Sequence, residues 1–113
     1  MELVLAIMKV ESNFNPKVKS CTDDFGLMQV NKVNFEEVER ELGLTNMLDP
    51  YQGAKAGIFL LSKLKWNESE HQMLMAYNIG IAGAQKLWEQ GIYETDYSKK
   101  SIKSKRTDRR YSI

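Results

Sequence analysis

Three kinds of residue in this chain could do chemistry: a glutamate on an apolar helical stripe, a pair of aspartates in a loop, and the single cysteine and histidine. The glutamate is Glu11. In the run LVLAIMKVES, Val4, Ile7, Met8 and Glu11 recur at i, i+3, i+4 and i+7, the spacing of one face of an α-helix. Asn13-Phe14-Asn15-Pro16 follows, and the residue before a proline is pushed out of helical backbone. Glu11 is therefore expected in the last turn of a helix over residues 3–11. Burial on the apolar stripe and the negative end of the helix dipole both penalise a carboxylate there, and both raise its pKa. A carboxyl that keeps its proton near neutral pH can serve first as general acid and then as general base. The competing interpretation is a helix-terminal glutamate that reaches water.

Asp23 and Asp24 could supply a second acid, or could cap backbone N–H groups of a turn. Cys21 and His71 lie far apart in sequence, and no Asn/Asp pattern supports a thiol–imidazole pair. Two soft ligands do not close a tetrahedral zinc site, so neither a metal nor a cofactor is expected. One cysteine excludes an internal disulfide. Ser12, Met28, Gln29, Tyr77 and Asn78 are polar, thioether or aromatic groups that, taken singly, read as core or loop residues.

These residues need elements to position them. After the first helix, residues 12–33 read as a long ordered loop with Asn-Pro, Asp-Asp and an isolated glycine. Asn34-x-x-Glu37 is a capping signature for a short helix to Leu42, stopped by Gly43. Asp49-Pro50 places a cap and a first-position proline before a helix to about Lys65. Ser69-x-x-Gln72 starts another through Tyr77, Gly80 and Gly83 interrupt or restart the chain, and residues 83–90 continue helical. A last helix is expected within 94–106. No segment alternates at period two long enough for a convincing strand. The fold expected is all-α, with little or no β.

The chain has 113 residues, 42% of them apolar, enough for one globular core. No apolar run approaches the roughly 18 residues that cross a bilayer, so no membrane insertion is expected. The N-terminus has an acid at position 2 and no basic leader, unlike a signal peptide; an export signal would lie outside this chain. Charge is uneven. Residues 99–113 hold seven Lys/Arg and one acid, against nine basic and fourteen acidic residues elsewhere. This basic helix end or tail reads as a solvated surface or as an electrostatic attachment to a polyanion. With one aromatic and no recognition motif, it gives no case for nucleic-acid binding.

Glu11-Ser12, Gly26-Leu27-Met28-Gln29 and Ala76-Tyr77-Asn78-x-Gly80, in that order, resemble the soluble lytic transglycosylase domain, a peptidoglycan-cleaving family with a lysozyme-like α-helical fold. Gly57-Ile58-Phe59-Leu60-Leu61 and Glu94-Thr95-Asp96-Tyr97 add softer matches, the latter one residue shorter than the usual spacing. The resemblance implies a catalytic domain over residues 1–98 with a substrate groove. It makes Glu11 the sole catalytic acid/base and Ser12 a residue that orients it or contacts the substrate's acyl group. Met28 and Gln29 line the sugar groove, Tyr77 and Asn78 form the opposite wall, and Tyr97 hydrogen-bonds the Glu11 carboxyl. Ile79 departs from the family pattern, where a small residue is common, as does Gly53-Ala54.

The implied partner is the glycan strand of peptidoglycan, and the implied location extracellular, periplasmic, in the cell wall or on a phage virion. The domain would be a monomer or part of a larger multidomain protein. The implied reaction needs one carboxylate, where glycoside hydrolases normally use two. Glu11 protonates the oxygen joining N-acetylmuramic acid to N-acetylglucosamine, then takes the proton of the muramic C6 hydroxyl as that oxygen closes onto C1. The related goose-type lysozymes hydrolyse the same bond and carry an acid directly after GLMQV, where this chain has Asn31. A peptidoglycan hydrolase on the same scaffold and a non-catalytic glycan-binding module are the alternatives.

Overall fold

The computed structural model describes residues 2–64 and 69–111, with backbone only for 106–111. Its elements are α1 (Glu2–Ser12), β1 (Asp24–Phe25), β2 (Val30–Asn31), a 3-10 turn (Lys32–Asn34), α2 (Phe35–Leu42), α3 (Pro50–Ser62), α4 (Glu70–Ile79), α5 (Ile81–Glu89) and α6 (Asp96–Tyr111). The described residues are thus predominantly helical, and no helix among them is long and apolar enough to cross a membrane. They divide into two compact units, Ile7–Phe59 and Met1–Ala6 with Leu60–Ile113.

In the unit Ile7–Phe59, α1 ends where two consecutive residues, Asn13 (φ 51°) and Phe14 (φ 62°), turn left-handed. Asn13 N–H still reaches Lys9 O at 2.9 Å, and Asn15 N–H reaches Ser12 O at 3.0 Å. The segment expected to be one long loop contains a small antiparallel hairpin, with Asp24 opposite Asn31 and Phe25 opposite Val30. Two-residue strands are too short to leave an alternating pattern in sequence. The Phe25 and Phe35 ring centroids lie 5.2 Å apart, packing the hairpin on the start of α2.

Two expectations about helix ends change here. Asn34 makes no side-chain cap, because the 3-10 turn already feeds helical backbone into α2. The capping oxygen comes from Asn31, which accepts Val33 N–H at 3.0 Å. The helix after Pro50 stops at Ser62; Lys65 lies outside the described residues. Two other signals in this unit act as expected. Gly43 closes α2 in the left-handed conformation (φ 69°), and Asp49 Oδ2 accepts Gln52 N–H at 2.9 Å to cap α3.

In the second unit, Ser69 Oγ accepts Gln72 N–H at 3.1 Å and opens α4. Gly80 (φ 84°) separates α4 from α5, which starts at Ile81, so Gly83 lies inside the helix. Met75, Ala76 and Ala84 form a buried cluster beneath Leu64, Leu87 and Trp88. α6 packs on α4 and runs past the expected end, to Tyr111.

Candidate active site

Glu11 sits half-buried in the last turn of α1. What fixes that turn is its neighbour. The Ser12 hydroxyl lies 2.9 Å from Met8 O in its own helix and 2.8 Å from Leu27 O in the hairpin loop, and Ser12 is 7% exposed. A serine has one proton to donate, so the two carbonyls share it. Ser12 therefore ties the helix end to the GLMQ loop.

Each residue of that loop serves the same junction. Gly26 has φ 83°, and a Cβ there would collide with the Met47 backbone carbonyl, so only glycine fits. Met28 is completely buried against α3, where a Cβ on Gly57 would run into its side chain. The side chain of Met28, expected to line the sugar groove, is packed in the core beside Gly57. Gln29 adopts φ 50°, and its amide nitrogen donates to Val18 O at 3.1 Å and to Gly26 O at 3.0 Å. Those bonds close the loop on itself, the role a lone loop glutamine would have.

The rival carboxylate is Asp24. It accepts Thr22 Oγ1 at 2.5 Å, Ser20 Oγ at 2.8 Å and Asn31 Nδ2 at 2.8 Å. Burial pushes its carboxyl up, but the hydrogen bonds from Thr22, Asn31 and Ser20 outweigh this and hold it below the usual carboxylate value. It is an anion held by three donors, not a proton donor. Asn31 is as fully engaged: its amide nitrogen also donates to Thr22 O at 3.1 Å while its oxygen caps the 3-10 turn. Asp23 is exposed at φ 60°.

In the second unit, Tyr77 and Asn78 lie in the last turn of α4, half-buried and exposed respectively, behind the buried Leu74, Met75 and Ala76. Tyr97, half-buried, is the second residue of α6. Two features escaped the sequence. Phe14 is 48% exposed in a left-handed conformation that costs a non-glycine residue about 1–3 kcal/mol, a strain typical of functional surfaces. His71 bonds the first turn of α6, and the Thr95-x-x-Ser98 spacing was the available signal for its partner.

Comparison with known proteins agrees with this arrangement of motifs. The chain matches the Transglycosylase SLT domain family over residues 1–101. It is also 32% identical over 87 residues to membrane-bound lytic murein transglycosylase F of Desulfosudis oleivorans, covering 70% of this chain and 18% of that protein. The chain thus spans about a fifth of that relative's length. With the family match covering nearly all of its residues, the chain belongs to the Transglycosylase SLT domain family.

Proposed function

We propose that this domain is a peptidoglycan lytic transglycosylase with Glu11 as its single acid/base. It cleaves the β-1,4 bond between N-acetylmuramic acid and N-acetylglucosamine and leaves a 1,6-anhydromuramic acid end. The observation that carries the proposal is the contrast between two carboxyls of one unit. Glu11 stands half-buried at a junction that Ser12 and the GLMQ loop hold in place. Asp24 is committed to three donors, and its cross-strand partner Asn31 is an amide. A mechanism that uses the substrate's own hydroxyl as nucleophile needs one proton-shuttling group, which this arrangement supports. Glycoside hydrolases normally use a second carboxylate, to activate water or to attack the sugar.

On this reading Asn78, Tyr77 and Tyr97 contact the sugar chain or the reacting groups. Ser12, Met28 and Gln29 act from behind, by placing Glu11. The basic α6 adds electrostatic attachment to the anionic wall, where the domain works as a monomer or as part of a larger multidomain protein. Mass spectrometry of the fragments released from purified peptidoglycan tests the chemistry. Anhydro products, one water lighter than hydrolysis products, are expected. Fragments of full hydrolytic mass would assign the scaffold to a hydrolase.

A further inference from the structure

Ser98 is completely buried in the first turn of α6, and its hydroxyl has three neighbours. Thr95 N–H donates to it at 2.9 Å, Thr95 O lies 3.0 Å away as an acceptor, and His71 Nδ1 lies at 2.8 Å. Ser98 N–H returns a bond to Thr95 Oγ1 at 3.2 Å. Thr95 and Ser98 thereby form a reciprocal helix cap that is complete without a histidine. His71 is an addition to it from a different helix, α4. Its other nitrogen, Nε2, lies 3.6 Å from Glu94 Oε1, an exposed pairing that stabilises little.

The link to Ser98 holds in every protonation state of the ring. If Nδ1 carries a proton, it donates to Ser98 Oγ and the hydroxyl turns to Thr95 O. If Nδ1 is bare, the hydroxyl donates to it, and Thr95 O keeps the Lys99 N–H at 3.0 Å. No group is orphaned either way, so this is a fixed link rather than a switch. It also connects two stretches that matter. α4 carries His71 near its start and Tyr77-Asn78 in its last turn, while Ser98 directly follows Tyr97.

We propose that His71 is a positioning residue: through Ser98 it sets the first turn of α6, and so Tyr97, against the helix that carries Tyr77 and Asn78. The proposal rests on the transglycosylase reading for its catalytic consequence. α6 is held to α4 independently further along, where Lys105 Nζ reaches the two Glu70 oxygens at 3.0 and 3.2 Å. Loss of the histidine should therefore loosen one turn without releasing the helix.

The test compares His71→Leu, which removes both ring contacts, with His71→Asn, whose amide can stand in for Nδ1. Both are made in the full chain and assayed on soluble peptidoglycan glycan strands. His71→Leu is expected to stay folded, with Tm lowered by less than about 8 °C. Its kcat should fall about tenfold with KM within about twofold, since small displacements of positioning groups act mainly on the chemical step. His71→Asn should restore most of the kcat. Amide hydrogen exchange at Ser98 and Lys99 reads the link without catalysis, and should accelerate in His71→Leu but not in His71→Asn. Unchanged exchange in His71→Leu overturns the link, as does equal loss of kcat and Tm in both variants. Full kcat in folded His71→Leu overturns the positioning role. A wild-type chain that releases no glycan fragments overturns the transglycosylase reading instead, and the exchange data still decide the link.

Discussion

Burial alone would make Asp24 easier to protonate; donors from Thr22, Asn31 and Ser20 reverse that and keep it ionised. A folded-state pKa below the unfolded one contributes stability that is present above the unfolded value, 3.8, and is lost as pH falls through the folded value. Asp24→Asn should therefore cost about 1–3 kcal/mol at pH 7. In urea titrations the gap between mutant and wild type should shrink as pH falls below 3.8. A gap that stays constant with pH would mean the carboxylate charge is not what the donors hold. The hairpin also predicts the cost of a second acid. Asn31→Asp would place a carboxylate beside Asp24 Oδ1, where an amide nitrogen now sits at 2.8 Å. It should destabilise the domain at pH 7, by about 1–3 kcal/mol, and less so at acidic pH, once one of the pair takes up a proton. Ser12→Ala should cost about 1–2 kcal/mol in urea denaturation. It should lower activity further than that at temperatures where the variant is folded, because it loosens the turn that carries Glu11.

The elements show which signals were legible in sequence and which were not. Caps written in adjacent residues were readable: Ser69 on Gln72, Asp49 on Gln52 and Gly43 after α2 all act as their types require. Asn34 makes no cap because a competing turn, capped from Asn31, arrives first and supplies the helical backbone itself. Met28 and Gln29 were legible as part of a motif, but the packing around them was not. Whether Met28 faces a ligand or the core is decided by Gly57, far away in sequence, whose missing side chain makes the space. Gly57→Ala should accordingly destabilise by about 1–3 kcal/mol through overpacking, although alanine is the better helix former. A thermal melt reads this directly. α6 offers the opposite case. Ser101 and Ser104 hydroxyls are buried there without a hydrogen-bond partner among the described residues. Ser101→Ala removes an unsatisfied hydroxyl and improves helix propensity, and should raise stability by about 0.5–1.5 kcal/mol. A loss of stability would mean that the hydroxyl has a partner after all.

At the scale of the whole molecule, the helical class and the family were readable because short motifs in fixed order survive in one sequence. The packing that gives them meaning was not. The ES and GLMQ motifs meet where the Ser12 hydroxyl reaches Leu27 O, in the turn that carries Glu11. The second unit contributes its own candidate residues on α4 and α6, linked by His71 and Ser98. In the proposed reaction Glu11 is the group that moves the proton. Glu11→Gln keeps the size of the side chain and removes its acidity, so the most direct measurement is the rate at which this variant releases soluble fragments from purified peptidoglycan. The role of Glu11 as sole acid/base predicts a folded variant with wild-type Tm, within about 4 °C, and release lowered by at least about a hundredfold. Release at close to the wild-type rate by the folded variant would contradict it.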